Sequence, residues 1–434
     1  MQFLRAARAV PHKAFTAAAR FPSRAYSRAW RCNPSYSHQP TSRACSSTPS
    51  PGGEPERLPG SDIPWTQLRD DSHPHYNIKA GILDKVGKRL LHETWHPLAT
   101  LKGEIAAYFA ERAAADSSMP QFKLFDDFHP VVTVRQNFDE LLTPADHVSR
   151  SPSDTFYLDE QHLLRCHTSA HQTQVLRAGH SAFLVAGDVY RRDEIDRTHY
   201  PVFHQMEGVR VWRRDELPAD AGAAQEAVVQ DLKDTLEGLA RRLFGDVPMR
   251  WVDAYFPFTD PSLELEIFWD GDWLEVLGCG MIEPAVLTNG QRGDDIGWAF
   301  GLGLERLAMV LFGVTDIRLF WSADERFRGQ FKPGQVTKFE PYSKYPPCLK
   351  DVTFWLPDSW HDNDFFDVAR EIAGDLVENV ECIDDFTHPK TGRRSKCFRV
   401  TYRSMDRSLT NEEIDKLQFE LRDALEAQLG AELR

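Results

Sequence analysis

Between residues 77 and 112 apolar side chains recur at helical spacing (Ile82, Val86, Leu90; then Leu98, Leu101, Ile105, Phe109), which predicts two helices divided near His96-Pro97. Lys79, Lys85, Lys88, Arg89 and Lys102 stand on their polar faces, either as a solvated surface or as contacts to RNA. From 122 to 321 the pattern shortens to β-like runs separated by turns, at 131–134, 183–189, 208–212, 263–269 and 273–278. Helical periodicity returns only over 223–244 and 302–311. Strands that succeed one another without alternating helices predict an antiparallel sheet with helices packed on it, an α+β fold and not a doubly wound parallel sheet. Gly301-Leu302-Gly303 is expected to open a helix without the preceding strand or third glycine of a dinucleotide fingerprint.

The tail from about 338 has another order: a strand at 351–356, a helix at 365–377, strands at 382–386 and 397–402, and a helix at 411–429. That is βαββα with room for one more short strand, the pattern of a ferredoxin-like βαββαβ domain. Residues 329–337, with Gly and Pro and little periodicity, read as the joint before it.

Composition narrows the class. The 434 residues are 41% hydrophobic and 27% charged, a globular balance with length for two or three domains. Charge interrupts every apolar run, as Glu305 and Arg306 do, so none reaches the roughly 20 residues that span a bilayer and no membrane partner is expected. Seven cysteines without a C-x-x-C pair suggest neither a disulfide framework nor a zinc module.

Charge is unevenly placed. Residues 1–53 hold eight Arg and Lys and no Asp or Glu, an Arg- and Ser-rich stretch of the transit-peptide kind, although a plain basic arm has the same composition. The 51 basic residues less these eight leave 43 against 65 acidic ones, a formal charge of −22. So acidic a body excludes indiscriminate nucleic-acid binding and confines any such partner to local basic patches. Pro, Gly and Ser make the next stretch a linker, with domains expected over 76–335 and 336–434 after a linker at 54–75.

Three segments set polar groups beside apolar strands. Leu164-Arg165-Cys166-His167-Thr168-Ser169-Ala170-His171-Gln172 runs from a strand into hydroxyls, imidazoles and an amide; His167 and His171 lack the further ligands that zinc needs. Tyr190-Arg191-Arg192-Asp193 and the later Phe203-His204-Gln205-Met206-Glu207 read as strand, loop and strand. There a guanidinium can grip a phosphate or carboxylate with two parallel bonds, or merely close an Arg-Asp surface hairpin. Gly301-Leu302-Gly303-Leu304-Glu305-Arg306 puts glycines at a helix entry and an arginine in its first turn.

In this order, Tyr190-Arg191-Arg192-Asp193 resembles the second signature motif of class II aminoacyl-tRNA synthetases and Gly301-Leu302-Gly303-Leu304-Glu305-Arg306 the third. His167-Thr168-Ser169-Ala170-His171, Phe203-His204-Gln205-Met206-Glu207-Gly208 and Phe256-Pro257-Phe258-Thr259 narrow the resemblance to the phenylalanyl-tRNA synthetases, in their single-chain mitochondrial form. It covers about residues 76–434. It implies catalytic roles for Arg191, Arg306 and Glu275. Arg191, Thr198, His199, Tyr200, Phe203, Glu275 and Arg306 would bind ATP, with Mg2+ on Glu275. His167, Ser169, Ala170, His171, Gln172, Asp193, Gln205, Glu207, Phe256, Phe258, Ala299 and Phe300 would receive phenylalanine. Asp193 departs from the family's more usual Glu. Phe256 and Phe258 taken alone also fit plain core.

For the tail the resemblance implies an anticodon-binding domain. Residues 388–407 carry seven basic groups against one acid, Asp406, and Lys390, Arg393, Arg394, Lys396 and Arg399 are the expected tRNA contacts; a solvated hairpin is the alternative. The implied partners are L-phenylalanine, ATP and mitochondrial tRNA(Phe), met by a monomer in the mitochondrial matrix.

Overall fold

The computed structural model describes residues 68–69, 71–341 and 345–434. The arm expected over 1–53 and the linker as far as residue 67 lie outside them. Of the two expected first helices, one shrinks to the turn Ala80–Leu83, because Gly87 and Arg89 take φ of 78° and 52° and end the helical run. The other is α1, Pro97–Ala115, with its proline at the first position, where an N–H would have had no partner.

The strands of the body are β1 (Lys123–Phe125), β2 (Val131–Thr133), β3 (His162–Leu164), β4 (Ala182–Tyr190), β5 (Val202–Trp212), β6 (Met249–Phe256), β7 (Thr259–Trp269), β8 (Asp272–Ile282) and β9 (Ile296–Gly303). Seven of them make the main sheet, in the order β1-β4-β5-β9-β8-β7-β6, while β2 and β3 pair separately. Only β1 runs parallel to its neighbour. The sequence pattern hides β6 behind alternating charges and rings, and β9 behind its glycines. Contrary to expectation, Gly301-Leu302-Gly303 is therefore the end of a strand, and the helix begins only at Leu304. That strand is central and antiparallel, so no phosphate-binding crossover of a parallel sheet results.

Helices α2 (Ala221–Phe244) and α3 (Leu304–Phe312) join α1 on one face of the sheet. Ile105, Phe109, Leu232, Leu236 and Leu307 meet Met206, Phe300 and Leu302 of β5 and β9 there. On the other face Val209, Val211 and Ala299 pack with Phe183 and Val185 in a second apolar cluster, so polar groups take only the end of β5 and β9 that carries Gln205, Glu207, Gly301 and Gly303.

The tail consists of β10 (Cys348–Trp355), α4 (Asp362–Ala373), β11 (Val377–Thr387), β12 (Arg394–Tyr402), α5 (Asn411–Leu429) and β13 (Glu432–Leu433). Its sheet order, β11-β12-β10-β13, completes the expected βαββαβ fold. Phe354, Phe365, Phe398, Val400 and Leu421 form its core. α4 ends earlier than its apolar pattern suggests, at Gly374 with φ of 54°. Among the described residues no helix is long and apolar enough to cross a membrane.

Candidate active site

On the sheet face opposite the α1–α2 core lies a cavity of about 760 Å3, within the size range of small-molecule sites. Phe203, Gln205 and Glu207 project into it from alternate positions of β5. The register sets Gln205 opposite Gly303 and Glu207 opposite Gly301 on β9, and a Cβ added at either glycine would meet nothing within 4 Å. The missing side chains are the space a ligand can fill.

β4 delivers Arg191 just past its last residue. Its backbone N–H donates to Pro201 O at 3.0 Å and closes the loop 191–201. Its Nε donates to Cys166 O at 2.8 Å, and its guanidinium lies 5.3 Å from the Phe203 ring centre. The segment after β3 brings His167, Thr168 and Ser169 to the same cavity. From the first turn of α3, Arg306 Nη1 donates to Glu275 Oε2 of β8 at 2.9 Å. Phe256 and Phe258 stack with centroids 6.0 Å apart, and His167 lies 6.4 Å from Phe258.

Burial decides the charges. It pushes the Glu207 carboxyl up to about 7, against the Ser169 hydroxyl and the Arg165 cation that pull it down. Glu207 Oε1 is buried with no hydrogen-bond partner among the described residues, an acceptor aimed at a donor that a ligand would bring. Burial, then Arg191, lowers His167 to about 3, so that imidazole is neutral. His199 is raised instead, first by its bond to Asp196 at 2.7 Å, which favours its charged form. Burial and then the like charge of Glu275 raise Glu264, so two carboxylates crowd together beside Arg306. These oxygens, or Glu194, Asp196 and His199, whose ligand atoms lie within 4.8 Å of one another, are the groups able to hold a cation.

Sequence reasoning misses the supports beneath. Glu305, buried between Leu304 and Arg306, accepts from the His204 backbone N–H and is bonded to its Nδ1, both at 2.7 Å, and so ties β5 to α3. Arg165 is buried under β4; its Nε donates to Asp188 O and its Nη2 to Asp188 Oδ1, each at 2.6 Å. A Cβ at Gly187 would collide with that guanidinium. An acid or arginine inside an apolar run is the only sign either gives in the sequence.

Residues 87–331 match the family described as tRNA synthetases class II core domain (F), and 343–434 the Ferredoxin-fold anticodon binding domain. The chain is 54% identical over 369 residues to a phenylalanine–tRNA ligase, chloroplastic/mitochondrial, of Arabidopsis thaliana, covering 85% of this chain and 84% of that one. It is 46% identical over 441 residues to the mitochondrial phenylalanine–tRNA ligase of Mus musculus, covering 95% and 96%. A similar enzyme of Dictyostelium discoideum is 45% identical over 438 residues, covering 90% and 94%. The chain belongs to the phenylalanine–tRNA ligase family of class II tRNA synthetases.

Membership makes the departures from the expected site worth stating. Ala170, His171 and Gln172 do not line the cavity. The chain turns into a short helix there, and His171 instead accepts from Arg165 Nη1 at 2.9 Å and stacks on Phe128. Neighbours on a strand face opposite ways, so Ala299 and Phe300 cannot both point into the cavity. Ala299 shares the face of Glu207, whereas Phe300 borders the cavity but stacks its ring on Phe109 at 5.8 Å in the core. Thr198, His199 and Tyr200 reach the cavity, but the Tyr200 hydroxyl donates to Asp375 of the tail at 2.9 Å.

Four of the five expected tRNA contacts in the tail are paired with acids outside the run. Arg393 pairs with Glu432 at 2.6 Å, Arg394 with Asp385, Lys396 with Asp362 at 2.5 Å and Arg399 with Asp351 at 2.8 Å. The single acid counted in the run, Asp406, gave too basic a picture.

Proposed function

We propose that this protein activates L-phenylalanine with ATP as phenylalanyl-adenylate and transfers it to mitochondrial tRNA(Phe), as a monomer in the matrix. The observation that carries the reading is the meeting of Arg191, Glu207 and the Phe256–Phe258 pair in one cavity; the names of the relatives agree with it. The reading divides the chain into a targeting arm at 1–53, a linker at 54–75, a catalytic domain at 76–335 and an anticodon-binding domain at 336–434.

In this reading the phenylalanine ammonium meets Glu207, whose buried oxygen has no other donor, and Gln205. Its ring lies beside Phe256 and Phe258 over Ala299. Aromatic contacts of that kind add about 1 kcal/mol each beyond burial. Arg191 spans the amino-acid carboxylate and the ATP α-phosphate, so it neutralises charge as the carboxylate oxygen attacks phosphorus and pyrophosphate leaves. Phe203 stacks on adenine, while His199 and the Arg306 cation hold the outer phosphates. The crowded carboxylates Glu264 and Glu275 suit Mg2+, a hard cation that prefers oxygen ligands. When bound there it would supply positive charge to the phosphates.

The test is ATP–pyrophosphate exchange with the chain lacking residues 1–53, each of the twenty amino acids assayed separately. Strong exchange with phenylalanine, lost in Arg191→Ala, is the expected result. Exchange driven by another amino acid would move the substrate; none with any would remove the activity.

A further inference from the structure

We infer that Tyr255, at the mouth of the cavity, is the ring on which the terminal adenine of tRNA stacks while its ribose receives the aminoacyl group. The assignment rests on the proposed function and gives its last substrate a named contact.

The exposure of Tyr255 needs a reason. At 80% it is the most exposed large hydrophobic side chain among the described residues, and Val148, at 64%, comes next. Both line the cavity. One open ring on a surface would mean little, but the two most exposed ones meeting at one cavity mark a place that something covers.

Strand β6 shows how the ring comes to be there. Trp251, four positions earlier, packs on the helical side of the sheet, so plain alternation would send Tyr255 the same way. Instead Ala254 pairs with Ser262 and Phe256 with Thr259, which leaves Tyr255 outside the ladder as a bulge. Bulges re-aim side chains beside functional sites. As β6 is the outer strand of the sheet, no further strand covers the ring.

The occupant follows from what the cavity is already assigned. In the proposed reading the phenylalanine ring lies with Phe256 and Phe258, and the adenine of ATP with Phe203. The remaining substrate is the single-stranded 3′ end of tRNA. Its terminal ribose oxygen bonds to the acyl carbon of the adenylate as the bond from that carbon to the phosphate oxygen breaks, and AMP leaves while the hydroxyl proton is released. A nucleotide that reaches in by its ribose leaves its base at the rim, and unpaired bases are held there by stacking on aromatic rings. Tyr255 directly precedes Phe256, so the platform is one residue from the ring that meets phenylalanine.

Tyr255→Ala and Tyr255→Phe in the full chain, assayed with tRNA ending in adenosine and with tRNA ending in cytidine, test this. So exposed a ring can be removed without opening a hole in the core. Tyr255→Ala is expected to lower kcat/KM for tRNA about tenfold in aminoacylation, with phenylalanine-dependent ATP–pyrophosphate exchange unchanged. Tyr255→Phe should keep the parental value, because stacking needs the ring and not its hydroxyl. The parent's preference for terminal adenosine over cytidine should shrink in Tyr255→Ala, which a merely structural role would not predict. A parental kcat/KM in Tyr255→Ala, an equal loss on both tRNAs, or a parallel loss of exchange overturns the platform. Absence of exchange in the unmutated protein would instead overturn the function on which it rests.

Discussion

Arg192 Nε donates to Asp367 Oδ2 at 2.5 Å, joining the residue after Arg191 to one 175 positions away on α4. Arg192 Nη2 reaches Asp364 at 2.8 Å, and Asn363 Nδ2 donates to the Arg192 carbonyl at 3.2 Å. The loop that carries Arg191 is thus fastened to the tail. Asp367 is only 6% exposed, and burial raises its carboxyl against the pull of Arg192 and Arg370. Asp367→Ala removes one acceptor from each of two half-buried arginines, while Arg192 keeps Asp364 and Arg370 keeps the Glu194 carbonyl, and is expected to cost about 1–3 kcal/mol of stability, whereas Asp367→Asn, which keeps an acceptor, should cost less. Urea unfolding of both variants decides it; an unchanged midpoint for the alanine would show that the pair holds nothing.

Glu207 makes substrate use and stability respond to pH in opposite directions. Its carboxyl sits near 7 in the folded protein against an ordinary 4.5. Between those values the folded state keeps a proton that the unfolded chain has lost, so stability falls as pH rises through the window and stays lower above it, by on the order of 3 kcal/mol. Ammonium binding needs the ionised form, so kcat/KM for phenylalanine should drop about tenfold per unit below pH 7. Glu207→Gln should be more stable than the parent at pH 8, equal to it at pH 4, and inactive. Equal unfolding free energies at pH 8 would sink the assignment.

The α+β order and the tail fold were legible because long periodic runs such as α2 and α5 report burial of one face directly. β6 and β9 were not, since Arg250, Asp253 and the β9 glycines break the alternation that marks a strand. At the site, Arg191, Glu207 and Arg306 could be picked out because charge beside glycine or an apolar strand is costly without a purpose. The segment 170–172 lies off the cavity because of its helical turn, and Phe300, assigned to the same side of the strand as Ala299, borders the cavity with its ring in the core. The tail cations looked free because Asp351, Asp362 and Glu432 reach them only through the fold.

The Arg306–Glu275 pair is half in solvent, 54% and 46% exposed, and ion pairs of that kind contribute under about 1 kcal/mol. Arg306→Ala and Glu275→Ala should therefore unfold within a few degrees of the parent. Both should lower kcat/KM for ATP in pyrophosphate exchange on the order of a hundredfold, because groups aimed at developing phosphate charge act mainly in the transition state. Thermal unfolding and an ATP titration on the same preparations separate the two effects. A large fall in melting temperature with ATP use intact would make the pair structural.

Two glycines on the strands either side of β5 distinguish packing from function. At Gly301 a Cβ meets nothing within 4 Å and enters the cavity beside Glu207, so Gly301→Ala should fold normally yet bind its substrates poorly. At Gly187 the same methyl collides with the Arg165 guanidinium, which Asp188, Phe128 and His171 hold from three sides. Gly187→Ala must push that buried cation off its partners and should lose about 2 kcal/mol or more of stability. Phenylalanine-dependent exchange measured beside urea unfolding gives the two readouts. The expected result is a raised KM with an unchanged midpoint for Gly301→Ala, and a lowered midpoint for Gly187→Ala. If Gly301→Ala kept the parental KM for both phenylalanine and ATP, the space opposite Glu207 would not be where substrate lies, and the β5–β9 floor would have to be reassigned.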